Sequence, residues 1–186
     1  MRVAQTQLRF QWRETRLPEQ AAAAPTKAAV AVATGLAGAV GMAVPIVLYD
    51  WFASGHSALE LPMAATSWLF GLTHFAQNGY QWGSIVVGLL LLAAYGIVHG
   101  IVFGGIAERF VSAETPTEAV GVGTAWGFVS LVFFWYVLLP IARGGAPFHA
   151  TAVSAAFVAP FWVFVVAFAV LGIVTAVTFR SLWRTG

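Results

Sequence analysis

Cysteine is absent from this chain. That excludes disulfides, thiolate metal sites and cysteine nucleophiles, and it leaves the redox compartment unreadable. Lysine is almost absent: Lys27 is the only one. Retinal-type photochemistry needs a lysine inside a membrane span, and Lys27 precedes the first apolar segment. Charge is scarce as well. Charged residues make up 9% of the 186 positions, against about 25% in a soluble domain. There is no glycine-rich phosphate loop behind a strand, no serine elbow and no pair of carboxylates at catalytic spacing, so nothing points to a hydrolase or a nucleotide enzyme.

What is present is apolar. Hydrophobic residues make up 60% of the chain, and the mean hydropathy is +0.83. Too little charge remains to cover a water-facing surface, so the chain belongs to the integral-membrane class. The pI near 9.4 reflects a small basic excess near the termini. That suits an anionic leaflet better than nucleic acid, and membrane lipids are the expected partners.

The hydropathy pattern predicts an all-α bundle of four transmembrane helices. A basic arm, 1–27, precedes a transmembrane domain over 28–182, and 183–186 form a tail. The spans are expected at about 28–49, 82–107, 118–141 and 155–179. Each is long enough for a hydrocarbon core of about 30 Å. Pro45 should kink the end of the first span, and Pro160 offers an alternative start for the fourth. The first apolar core lies too far from residue 1 for a secretory signal and is expected to be retained. Residues 61–76 are apolar but too short for a comfortable span. They predict a short interfacial helix in the first outer loop, lying on the surface or dipping inward.

Basic residues set the orientation. The arm holds Arg2, Arg9, Arg13, Arg16 and Lys27, the 108–118 loop holds Arg109, and the C-terminal end holds Arg180 and Arg184. The opposite loops hold only Arg143. By the positive-inside rule both termini are expected in the cytoplasm of a prokaryotic cell, with the spans in its inner membrane. Trp51, Trp82, Trp135, Tyr136 and Trp162 fall near the outer ends and Trp183 near the inner end, as interfacial anchors do.

The strongest motif is Gly96/Gly100/Gly104, a stripe of glycines one helical turn apart. With Gly35 in the first span it predicts close helix–helix packing. Gly96-Ile97-Val98 with Phe103 is echoed by Gly172-Ile173-Val174 with Phe179. The echo fits two helical hairpins in the same orientation, related by an axis along the membrane normal.

Few residues can carry chemistry. His99 lies near the middle of a span. It can serve as a haem ligand or as a quinone partner, or it can bond to a neighbouring helix, with Tyr95, Thr124 and Thr175 as candidates. The sequence itself requires no cofactor. His56, His74 and His149, with Asp50 and Glu60, form an outer-face set suited to copper or zinc, although no pair has the spacing that preforms a site.

The glycines from Gly35 to Gly41, His99-Gly100 with Gly104, Pro140 before Gly144-Gly145, and Leu171-Gly172 before Arg180 together resemble an uncharacterised family of small four-helix prokaryotic membrane proteins. The resemblance covers roughly residues 30–182. It implies four spans and carries no activity, cofactor or catalytic residue. The leading functional expectation is a non-catalytic accessory subunit of a larger membrane complex, an energy-converting one among the candidates. Two others stand beside it: a haem- or quinone-binding redox protein centred on His99, and a small solute or metal transporter.

Overall fold

A computed structural model of the chain describes residues 26–55, 57–70, 81–110, 115–142 and 159–185. All regular structure there is helical: α1 (Lys27–Tyr49), α2 (Glu60–Phe70), α3 (Trp82–Phe110), α4 (Pro116–Phe133), α5 (Leu139–Ala142) and α6 (Phe161–Thr185). A wide π turn, Asp50–Ser54, extends α1, and another, Phe134–Leu138, joins α4 to α5. Four stretches are long and apolar enough to cross a membrane: Lys27–Ser54, Trp82–Glu108, Pro116–Ile141 and Phe161–Trp183. This is the architecture of a multi-pass membrane protein.

The helix starts follow local chemistry. The Thr26 hydroxyl accepts from the Ala29 amide at 3.2 Å and caps α1. Thr115 and Glu118 form a reciprocal capping box with Pro116 at the first turn. α4 therefore begins two residues before the predicted boundary. Pro160 directly precedes α6, so the fourth span starts at the later of the two expected positions. Pro140 does not end its span. The π turn just before it absorbs the misfit that a missing proline amide creates, and the helix continues to Ala142.

Glycines bring the helices together. A Cβ on Gly35 would collide with the Gly96 carbonyl and come within 2.8 Å of the Gly100 backbone. A Cβ on Gly100 would strike the Ala31 carbonyl. These contacts lock α1 antiparallel to α3. α4 and α6 repeat the device: a Cβ on Gly123 would lie 2.6 Å from the Gly172 carbonyl, and one on Gly127 would strike the Phe168 carbonyl. α1 and α6 meet where Gly38 faces Thr175 and Gly41 faces Val174. Between α3 and α4 no glycine makes such an approach among the described residues. The spans therefore pack in the spatial order α3, α1, α6, α4, and one seam is left looser than the rest.

α2 is buried within the bundle rather than laid on its surface. Residues 61–67 are all buried. Gly88 leaves room for the Pro62 carbonyl, and the Thr66 hydroxyl bonds the Ser84 carbonyl at 2.5 Å. Gly88 lies six residues past Trp82, about 9 Å along the axis. The chain thus turns inward after α1 and climbs back along α3. Residues 71–76 of the predicted segment lie outside the described residues. At the opposite end, Lys27 pairs with Glu108 at 3.3 Å and sits 5.1 Å from the Trp183 ring centre. The start of α1 and the end of α6 therefore share one face of the bundle.

Two alanines on the same helix should separate packing from propensity. Gly105 has open space around it. Gly105→Ala should raise stability by up to about 1 kcal/mol through helix propensity. Gly100→Ala should lower it by about 3 kcal/mol, because its new methyl meets backbone. Unfolding of the purified variants in mixed micelles checks the opposite signs.

Candidate functional site

The loose seam between α3 and α4 holds the most unusual chemistry in the described structure. His99 projects from α3 into it and is 6% exposed. The Trp126 indole on α4 donates from Nε1 to His99 Nε2 at 2.8 Å. A nitrogen that accepts must keep its lone pair, so the imidazole proton sits on Nδ1. Nδ1 faces the Ser130 hydroxyl at 3.4 Å, and that hydroxyl donates to the Trp126 carbonyl at 2.8 Å. The result is a closed ring of hydrogen bonds in which both imidazole nitrogens have protein partners.

Aromatic rings surround this latch. Tyr95, one turn before His99, lies with its ring centre 5.9 Å from the imidazole. Phe103, one turn after, packs on Trp126 at 5.8 Å and edge-on against Phe179 at 5.7 Å. Where the other helix pairs meet through glycine, this pair meets through rings. The positions correspond. Trp126 follows Gly123 by three residues, as Gly38 follows Gly35; His99 follows Gly96 as Thr175 follows Gly172. Gly38 lets Thr175 close the α1–α6 seam, whereas Trp126 and His99 wedge the α3–α4 seam apart.

Above the latch, towards the Asp50 end, the wedge leaves a cavity of about 320 Å³. Tyr95, Phe134, Phe164 and Phe168 contribute rings, and Leu92 and Leu138 belong to its wall. The π turn at Phe134–Leu138 supplies part of that wall. Among the described residues the Tyr95 hydroxyl is the one polar side-chain group of the lining with hydrogen-bonding strength, and no partner bonds to it.

The expected site residues fare differently. Gly35, Gly96 and Gly100 come together in one contact, and Gly104 packs more loosely, its added Cβ lying 3.3 Å from the Ala31 methyl. His99 is central, but its partners are Trp126 and Ser130. Thr124 and Thr175 instead bond carbonyls of their own helices, Val120 and Leu171. A signal for Trp126 was present: it lies mid-span, away from the interfaces where tryptophan collects, with Ser130 one turn along the same face. His56, His74 and His149 lie outside the described residues. Asp50 is fully buried at the end of α1, Glu60 opens α2, and no cluster suited to a metal ion occurs among the described residues.

Comparison with family models, curated proteins and solved structures finds no match to this chain. The site therefore rests on its own geometry. Nitrogen NMR of the His99 ring should find the proton on Nδ1 and an acceptor Nε2. Trp126→Phe should shift the Nε2 resonance and lower stability by about 1–2 kcal/mol, as for other interhelical hydrogen bonds in membranes.

Proposed function

We propose that the chain is a non-catalytic accessory subunit of a larger integral membrane complex, seated in a prokaryotic cytoplasmic membrane with both termini inside. The observation that carries this reading is how the buried polar groups are used. Both nitrogens of His99 are held by Trp126 and Ser130. Thr34, Thr66, Ser67 and Thr175 turn their hydroxyls onto backbone carbonyls. These groups serve packing, which is what a scaffold within a membrane assembly requires.

The redox reading has less behind it. An axial haem ligand needs a free imidazole lone pair, and in this geometry His99 Nε2 gives its lone pair to Trp126. A transport reading calls for polar groups along a path, and the cavity wall is apolar apart from Tyr95. The orientation follows from charge. Lys27, Glu108 and Trp183 share one face of the bundle, and the sequence carries most of its basic residues before Lys27 and after Phe179, which by the positive-inside rule supports a cytoplasmic setting for that face.

Gentle isolation of the tagged protein from its native membrane, with co-purifying chains identified by mass, tests the assignment. Stoichiometric integral-membrane partners that survive a detergent wash are the expected result. Recovery of the chain alone would overturn it.

A further inference from the structure

We propose that the cavity in the α3–α4 seam binds the ring of a membrane-soluble quinone, with the Tyr95 hydroxyl donating to one of its carbonyls. This inference does not depend on the assembly described above, because every residue it uses belongs to this chain.

The first observation is the hydroxyl itself. A tyrosine half-buried among apolar side chains within a membrane span usually finds a hydrogen-bond partner. Tyr95 has none among the described residues, and it lines the cavity. Helical side chains lean towards the N-terminal end of their helix, so Tyr95 leans from the latch into the cavity. Beneath it, His99 is already engaged with Trp126 and Ser130. A bound molecule that brings an acceptor would complete the one polar side-chain group of this lining that has no partner among the described residues.

Depth decides which acceptor. Tyr95 lies midway along the span Trp82–Glu108. The ester carbonyls of phospholipids are anchored at the headgroups, about 15 Å from the centre of a 30 Å hydrocarbon core. They do not reach a mid-span phenol. A quinone ring, which carries its carbonyls on an apolar body, does. The wall suits a flat ring: Phe134 and Phe168 stand 6.1 and 6.4 Å from Tyr95, centre to centre, and 5.5 Å from each other. The volume of about 320 Å³ falls at the small end of ligand sites, enough for a head group and the start of a tail. Ile141, one of the lining residues, is 53% exposed, so the wall on the α5 side is thin and a tail would leave the cavity there for the lipid.

The test uses the full chain in phosphatidylcholine nanodiscs. It is photolabelled with short-tailed azido quinones, one benzoquinone-headed and one naphthoquinone-headed, and in parallel with a phosphatidylcholine bearing a photoreactive acyl chain. The expected result is about one quinone per chain, crosslinked to α3 and to the Phe134–Ala142 stretch and displaced by the unlabelled compound. Tyr95→Phe should weaken binding about tenfold, the loss of one hydrogen bond. Leu138→Trp, which fills the cavity, should abolish it. Both variants should remain monodisperse and keep the Nδ1 proton of His99. Should Leu138→Trp fail to fold, Ala65→Phe fills the same space from α2. Labelling scattered over the outer faces, equal affinity in Tyr95→Phe, no binding of either quinone, or an acyl-chain label in the cavity that quinone does not displace would each overturn the proposal.

Discussion

The bundle depends on backbone touching backbone. In a bilayer, lipid tails are as apolar as leucine, so helices gain nothing from hiding hydrophobic surface against one another. What remains is close packing, and only glycine allows the Gly35–Gly96–Gly100 and Gly123–Gly172 approaches, in which any side chain would overlap a carbonyl. The other positional choices follow from these two contacts. They set the register of α1 against α3 and of α4 against α6. That register places Gly38 opposite Thr175 and Trp126 opposite His99.

From this register comes an asymmetry. Two hairpins built on the same glycine pairing meet along two seams. One closes because a glycine stands opposite a small hydroxyl residue. The other stays apart because a tryptophan stands opposite a histidine. An indole and an imidazole are too large to let α3 and α4 touch, yet their hydrogen bond gives the open seam a fixed width. The cavity is a product of that spacing and of the π turn beside it. The same residues that hold His99 therefore shape the space that Tyr95 faces.

Much of this was legible in the sequence, because spans and small-residue stripes are local signals. Gly35, Gly96 and Gly100 declared themselves by spacing, and three of the four span starts fell within two residues of those observed. The fourth starts at the later of its two expected positions, just after Pro160 and six residues past the earlier one, since apolar residues before Pro160 read like a continuing span. Nonlocal facts were not legible. Nothing near His99 names Trp126, which lies 27 residues away. Nothing in 61–76 reveals that its first part is covered on every side, because burial between helices and contact with lipid demand the same apolar residues. The cavity was hidden for a related reason: it is an absence of packing, and composition does not record absences.

The π turn at Phe134–Leu138 has a consequence in the register of insertions and deletions. Such a turn holds one more residue than an α-helix of the same rise. Removing a single residue from it would restore a regular α-helix while leaving Leu139, Pro140 and Ile141 on the faces they now occupy, because the extra residue is taken up within the turn. The change would be confined to the Phe134–Leu138 part of the cavity wall, away from the glycine contacts that hold the bundle. A reading-frame-preserving loss or gain of one codon there would therefore alter this part of the pocket wall, while the scaffold around it stays as it is.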